Sequence, residues 1–190
     1  MNVIRGSDLI KRPWRNGGGI TREITEIRHD ADLVWRLSMA DVVTDGPFSD
    51  FSGLMRVLTV IDGDAMELIT PKGTLLAVPL APLKFDGALS VTSRLTNGPL
   101  RDLNLMFDPQ VVSGDVTPIH GPMTQSFTTT LSQSYALYLV SGEAQVTDPI
   151  GPETGLANGD TLILEADASG TRITLKEGCA ALLISLTLID

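Results

Sequence analysis

VLTVIDGDAMELIT, residues 57–70, sets two runs of β-branched and aliphatic residues on either side of Asp62-Gly63. Asp-Gly favours a two-residue hairpin because its glycine tolerates the left-handed backbone such a turn needs. The stretch therefore predicts two strands joined tightly and paired to each other. A related pattern recurs at an offset of 79 residues: YLVSGEA (138–144) again runs an apolar strand into a Gly turn, then an acid and Ala. A second cue follows each copy, GTLLAVP (73–79) in the first and GDTLILE (159–165) in the second. Two cues in one order predict an internal repeat.

Working outward, strand signals dominate. LVWRLSMA (33–40), LLAV (75–78), LSVTSRL (89–95) and DLNLMF (102–107) are short and separated by Gly, Pro, Asn or Asp. SFTTTL (126–131), YALYLV (135–140), AQVTD (144–148), TLILEA (161–166), TRITL (171–175) and ALLISLTL (181–188) continue the series. ITREITEI (20–27) fits helical spacing at Ile20, Ile24 and Ile27, but its Thr and Ile content and flanking glycines favour a strand. Many short strands with regular turns predict an all-β fold. With the repeat, the expectation is two tandem β-barrels, 1–108 and 109–190, with a seam in DPQVVSGDVTPIHGP (108–122).

Charge narrows the partners. The net charge of −9 disfavours a phosphate backbone, so no nucleic acid is expected. Residues 1–60 hold eight of the fourteen Lys and Arg against eight acids, so an anion pocket belongs in that part of the chain. The single cysteine, Cys179, lies in an apolar run and suits a reducing compartment. MNVIRGSDLI lacks the apolar core of a secretion signal, and CAALLISLTL is about half a membrane span. A soluble cytoplasmic protein with no membrane partner is expected.

A Gly turn and acid followed by Gly-x-x-x-x-x-Pro resembles the cupin barrel. A metal-binding cupin needs clustered histidines and a carboxylate that converge on one ion. This chain has only His29 and His120, so a bicupin without the usual metal or any other cofactor is expected.

PWRNGGGITREI (13–24) poses a separate question. A phosphate loop needs Lys and Ser/Thr after its last glycine, whereas Ile20 follows Gly19 here. A dinucleotide fingerprint fails as well, because Lys11-Arg12-Pro13 is not the strand of a βαβ unit. A hinge or a pocket rim remains. Trp14-Arg15-Asn16-Gly17-Gly18-Gly19 with Thr21-Arg22-Glu23-Ile24 resembles the signature of the HutD/Ves family. So do Trp35-Arg36 with Ser38 and Ala40; Gly46-Pro47-Phe48-Ser49 with Phe51, Gly53 and Arg56; and Asp102, Asn104 and Met106. Two departures stand out: the family's Phe-Pro-Gly is Phe51-Ser52-Gly53 here, and its later Gly-Asp is Gly87-Ala88.

The resemblance implies a bicupin fold, a pocket in the N-terminal barrel and no established catalytic activity. It also implies a link to histidine degradation, in which a pathway intermediate is sensed. Candidate ligands are then anionic: formylglutamate, formiminoglutamate or urocanate. Many cupins dimerise, which leaves room for a homodimer.

The residues suit such a ligand. Arg22, Arg36 and Arg56 offer planar donors that grip a carboxylate as a fork. Thr21, Ser38, Asn104 and Asn16 add neutral hydrogen bonds, while Trp14, Trp35 and Phe51 supply an apolar wall. Neighbours on a strand face opposite ways, so only one each of Arg22/Glu23 and Trp35/Arg36 can line a barrel without a bulge. Three functions stay open: non-enzymatic binding or sensing of the metabolite; isomerase or hydrolase chemistry on it with Glu23 as base; or a structural, protein-binding module.

Overall fold

The computed structural model describes residues 1–149, 151–164 and 169–189. Among them the only helical element is a 3-10 turn at Gly6–Asp8, and no helix is long and apolar enough to cross a membrane. The strands in chain order are β1 (Asn2–Ile4), β2 (Lys11–Pro13), β3 (Gly19–His29), β4 (Asp32–Val42), β5 (Gly46–Pro47), β6 (Met55–Asp62) and β7 (Met66–Thr70). Then come β8 (Gly73–Ala77), β9 (Leu83–Asp86), β10 (Thr92–Leu95), β11 (Leu100–Phe107), β12 (Val112–His120) and β13 (Met123–Thr128). The series ends with β14 (Gln133–Ser141), β15 (Ala144–Thr147), β16 (Thr154–Leu156), β17 (Thr161–Leu164), β18 (Ser169–Leu175) and β19 (Ala180–Leu188). Residues 165–166 of the expected strand 161–166 lie outside the described residues.

The chain divides into two compact units, Ile10–Val112 and Met1–Leu9 with Ser113–Asp190. The first has a six-stranded sheet, β2-β3-β4-β11-β6-β9, and a four-stranded sheet, β5-β10-β7-β8. The second has a five-stranded sheet, β1-β17-β14-β19-β12, and a four-stranded sheet, β13-β18-β15-β16. Shifting every label by eight carries β4–β11 onto β12–β19 with the same neighbours, so the repeat is an eight-stranded, two-sheet, cupin-like unit.

The opening stretch folds differently from its simplest reading. β6 and β7 do not pair: β6 lies between β11 and β9, and β7 between β8 and β10. Asp62-Gly63 thus turns the chain from one sheet into the other. Gly63 has φ +89° and its counterpart Gly142 has φ +87°, so both copies use glycine's left-handed freedom at this crossing. The second cue matches strands that are not equivalent. Residues 73–79 contain β8, whose counterpart is β16, whereas 159–165 contain β17, the counterpart of β9.

The expected N-terminal barrel began at residue 1, but Met1–Leu9 belongs with the second unit. β1 pairs with β17, and Asp160 fixes the segment by accepting hydrogen bonds from Arg5 Nη1 at 2.6 Å and Gly6 N at 3.0 Å. The expected seam holds a nine-residue strand, β12. Lys11–Pro13 forms a short edge strand on β3.

Each core lies between its two sheets. Leu137, Leu139, Leu162, Leu164, Ile173 and Leu175 fill the second unit. In the first, Val42, Leu58, Val60, Met66, Leu68 and Leu100 fill one part of the interior. The rest of that interior is the cavity described next.

Candidate functional site

A cavity of about 620 Å³ opens inside Ile10–Val112, within the size range of small-ligand sites. The six-stranded sheet supplies its floor as three cross-strand rows. Thr21, Ala40 and Asp102 form one, Glu23, Ser38 and Asn104 the next, and Arg36, Met106 and Arg56 the third. Strand alternation puts all nine on one face. Each of them lines the cavity.

The same alternation removes two expected residues. Arg22 and Trp35 face the opposite side of the sheet and do not line the cavity. Arg22 instead pairs with Asp41 at 2.6 Å, and Trp35 is buried at 8% exposure. A bulge does interrupt β3, but between Glu23 and Thr25, too late to bring Arg22 inward. Trp14, Asn16, Thr21, Glu23, Arg36, Ser38, Phe51, Arg56 and Asn104 all line the cavity.

The glycine run is the rim. Trp14 N donates to Gly19 O at 2.9 Å and Gly17 N to Trp14 O at 3.1 Å, closing a tight loop between β2 and β3. A Cβ on Gly19 would lie 2.5 Å from Asp41 O and 3.0 Å from the Trp14 ring. Glycine is thus required for the indole to lie over the strand. Trp14 Nε1 donates to Thr21 Oγ1 at 2.7 Å, and Asn16 Oδ1 accepts from Gly18 N at 3.0 Å. Both side chains are fixed before any ligand arrives.

Arg56 is the centre of the site. It is buried at 5% exposure, and Phe48, Phe51 and Phe85 surround its guanidinium at 5.0, 5.3 and 5.2 Å from their ring centroids. Its Nη2 donates to Asn104 Oδ1 at 2.8 Å, and Asn104 Nδ2 donates to Asp102 Oδ1. Burial lowers the Arg56 pKa to about 10, with the field of Asp102 opposing, so it stays charged at neutral pH. Burial pushes Asp102 up to about 7, against the pull of Arg56 and the Asn104 hydrogen bond.

Arg36 lies over Phe51 at 5.5 Å, and its Nη2 donates only to the Met106 sulfur, at 3.4 Å. Burial lowers its pKa, while Glu23 and Glu26 oppose the shift. Among the described residues neither Arg36 nor Arg56 forms an ion pair, and the Nε of each is buried without a partner.

Arg12, Arg15, Phe48, Asp102 and Met106 also line the cavity, beyond the expected set. Asp102 and Met106 follow from Asn104 by the two-residue strand period, and Arg12 and Arg15 flank Trp14. Of the two departures from the family pattern, Ala88 is exposed outside the cavity lining, and Ser52 donates its backbone N–H to Asp50 Oδ1 at 2.8 Å.

The donor set does not suit the metal of other cupins. The cavity has Glu23 and Asp102 among four arginines and no histidine. Among the described residues no three His, Cys, Asp or Glu gather as ligands. His29 is exposed at a turn, and His120 is exposed at the end of β12.

The sequence model of the HutD family matches residues 6–183. An uncharacterized 21.2 kDa protein in the hutC 3′ region of Pseudomonas putida is 39% identical over 115 residues, which is 58% of this chain and 60% of that relative. Protein Ves of Escherichia fergusonii is 32% identical over 149 residues, 75% of this chain and 76% of the relative. The structure of HutD from Pseudomonas fluorescens SBW25 in a formate condition superposes with a TM-score of 0.84 at 33% identity, covering 100% of this chain and 99% of that one.

Proposed function

The chain belongs to the HutD family, and from that premise we propose that its cavity binds a small carboxylate metabolite of histidine breakdown as a non-enzymatic sensor that modulates histidine utilisation. The ligand is of the formylglutamate, formiminoglutamate or urocanate class. One observation carries the reading: buried Arg56 and half-buried Arg36 face the same cavity, neither forms an ion pair among the described residues, and the Nε of each is buried without a partner. A desolvated charge without a direct ion pair is expensive, and an anion between the two offsets that cost. Arg12 and Arg15 at the rim add positive field on the approach. The aromatic wall of Trp14, Phe48 and Phe51 lowers the local dielectric and strengthens each contact.

Calorimetry and thermal shift with urocanate, formylglutamate, formiminoglutamate and glutamate test this, with each compound followed for chemical change. Saturable binding without turnover supports sensing. Turnover of any of them replaces sensing with catalysis. No binding to any, with Arg56→Ala indistinguishable from wild type, leaves a structural or protein-binding module.

A further inference from the structure

Asp102 is 1% exposed in a cavity lined by Arg12, Arg15, Arg36 and Arg56 and by one other acid, Glu23. Among the described residues its carboxyl receives one hydrogen bond, from Asn104. A fully buried carboxylate normally needs several donors, so its charge is poorly compensated. From β6, Arg56 faces it through Asn104 and favours ionisation. From β4, Asp41 lies behind the sheet and opposes ionisation, itself paired with Arg22 of β3 and with Arg101, the residue before Asp102. Glu23 and Arg36 share the cavity with it, and no histidine lines that cavity.

Resting on the anion-binding reading above, we infer that Asp102 takes up a proton as the anion enters, so the pocket binds its ligand together with one hydrogen ion. An anion held by Arg56 and Arg36 brings a negative charge close to Asp102 and uses the guanidinium that favours its ionised form. At an effective dielectric of about 20, a charge brought within roughly 10 Å moves a proton equilibrium by about tenfold or more. The neutral acid also gains an O–H donor to direct at the ligand. Burial, against the pull of Arg56 and the Asn104 hydrogen bond, already raises the group to about 7, so this displacement falls in an accessible pH range.

The test is calorimetry of formylglutamate binding to the full chain at pH 8, in imidazole, Bis-Tris and Tris, whose ionisation enthalpies differ. Formylglutamate's own carboxylates are ionised throughout. The slope of observed enthalpy against buffer enthalpy gives the protons taken up. We expect about 0.3 to 0.9 proton per site, with affinity level below pH 7 and falling up to about tenfold per unit above it. In Asp102→Asn, whose amide cannot take up a proton, the uptake should vanish from whatever binding remains. Should that variant fail to fold, carboxyl-carbon NMR of aspartate-labelled wild type decides: one resonance should titrate near neutrality and move upward on saturation. Binding with no proton uptake, or uptake that survives in Asp102→Asn, overturns the inference and leaves anion binding intact. No binding of any of the four compounds overturns both.

Discussion

Arg22 and Asp41 are paired at 2.6 Å on the sheet face that turns away from the cavity, while Arg36 faces the cavity and, among the described residues, forms no ion pair. Two arginines on adjacent strands therefore do opposite work. Arg22→Met removes one of two partners from half-buried Asp41, which keeps Arg101 at 2.6 Å. A loss of about 1 kcal/mol of stability is expected, with carboxylate affinity unchanged. Arg36→Met removes a half-buried charge that desolvation disfavours and only the fields of Glu23 and Glu26 support. Its unliganded stability should hold or rise, and its affinity should fall about 10- to 100-fold. Paired melts and titrations separate the two; weakened binding in Arg22→Met would falsify the assignment of faces.

That contrast marks how much of the site was legible beforehand. Strand parity showed that one residue of each adjacent pair had to face out, and the structure selects Glu23 and Arg36 as the inward members. Parity alone could not choose, because absolute facing depends on which sheet side is covered. The Asp62-Gly63 turn was legible as a turn but not as a crossing between sheets, since pairing is set by partners far along the chain. β12 was hidden for a local reason: its alternating Val112, Gly114 and Val116 are buried, but Gly and Pro in the same stretch read as turn signals.

Arg56 discriminates a fork from a point charge. Lysine retains the charge but cannot donate to Asn104 and to a carboxylate in the same planar geometry. Arg56→Lys should lower formylglutamate affinity about tenfold or more, at roughly 1.5 to 3 kcal/mol per lost charged hydrogen bond. Affinity equal to wild type by calorimetry would remove Arg56 from the ligand contact.

Gly19 tests the rim. Gly19→Ala places a methyl 2.5 Å from Asp41 O and 3.0 Å from the Trp14 ring, so the loop must shift and the indole must leave Thr21. Gly17→Ala meets no atom within 4 Å and suffers only its φ of +72°, a strain of about 1 kcal/mol. Trp14 fluorescence and affinity should both change in Gly19→Ala and stay near wild type in Gly17→Ala. Equal behaviour of the two would mean that the glycines act only as a hinge.

Half-buried Asp41 and buried Asp102 give stability opposite pH slopes. Burial works against ionisation of Asp41, but its hydrogen bonds from Arg22 and Arg101 overcome that and lower its pKa. Its contribution is present above the unfolded-state value and is lost as pH falls through the lowered one. Asp102 is raised to about 7. Folding then favours its neutral form, so its contribution is full below the unfolded value of about 3.9 and declines as pH climbs to about 7, beyond which the decline stops. Between pH 5 and pH 8 the loss from Asp102 should be about 2 to 3 kcal/mol. Asp102→Asn cannot ionise, so its unliganded melting temperature should gain on wild type between those pH values, while below pH 4 the gain should disappear. Parallel melting curves across the whole range would mean that Asp102 remains ionised in the folded chain, compensated by Arg56 more fully than its burial implies.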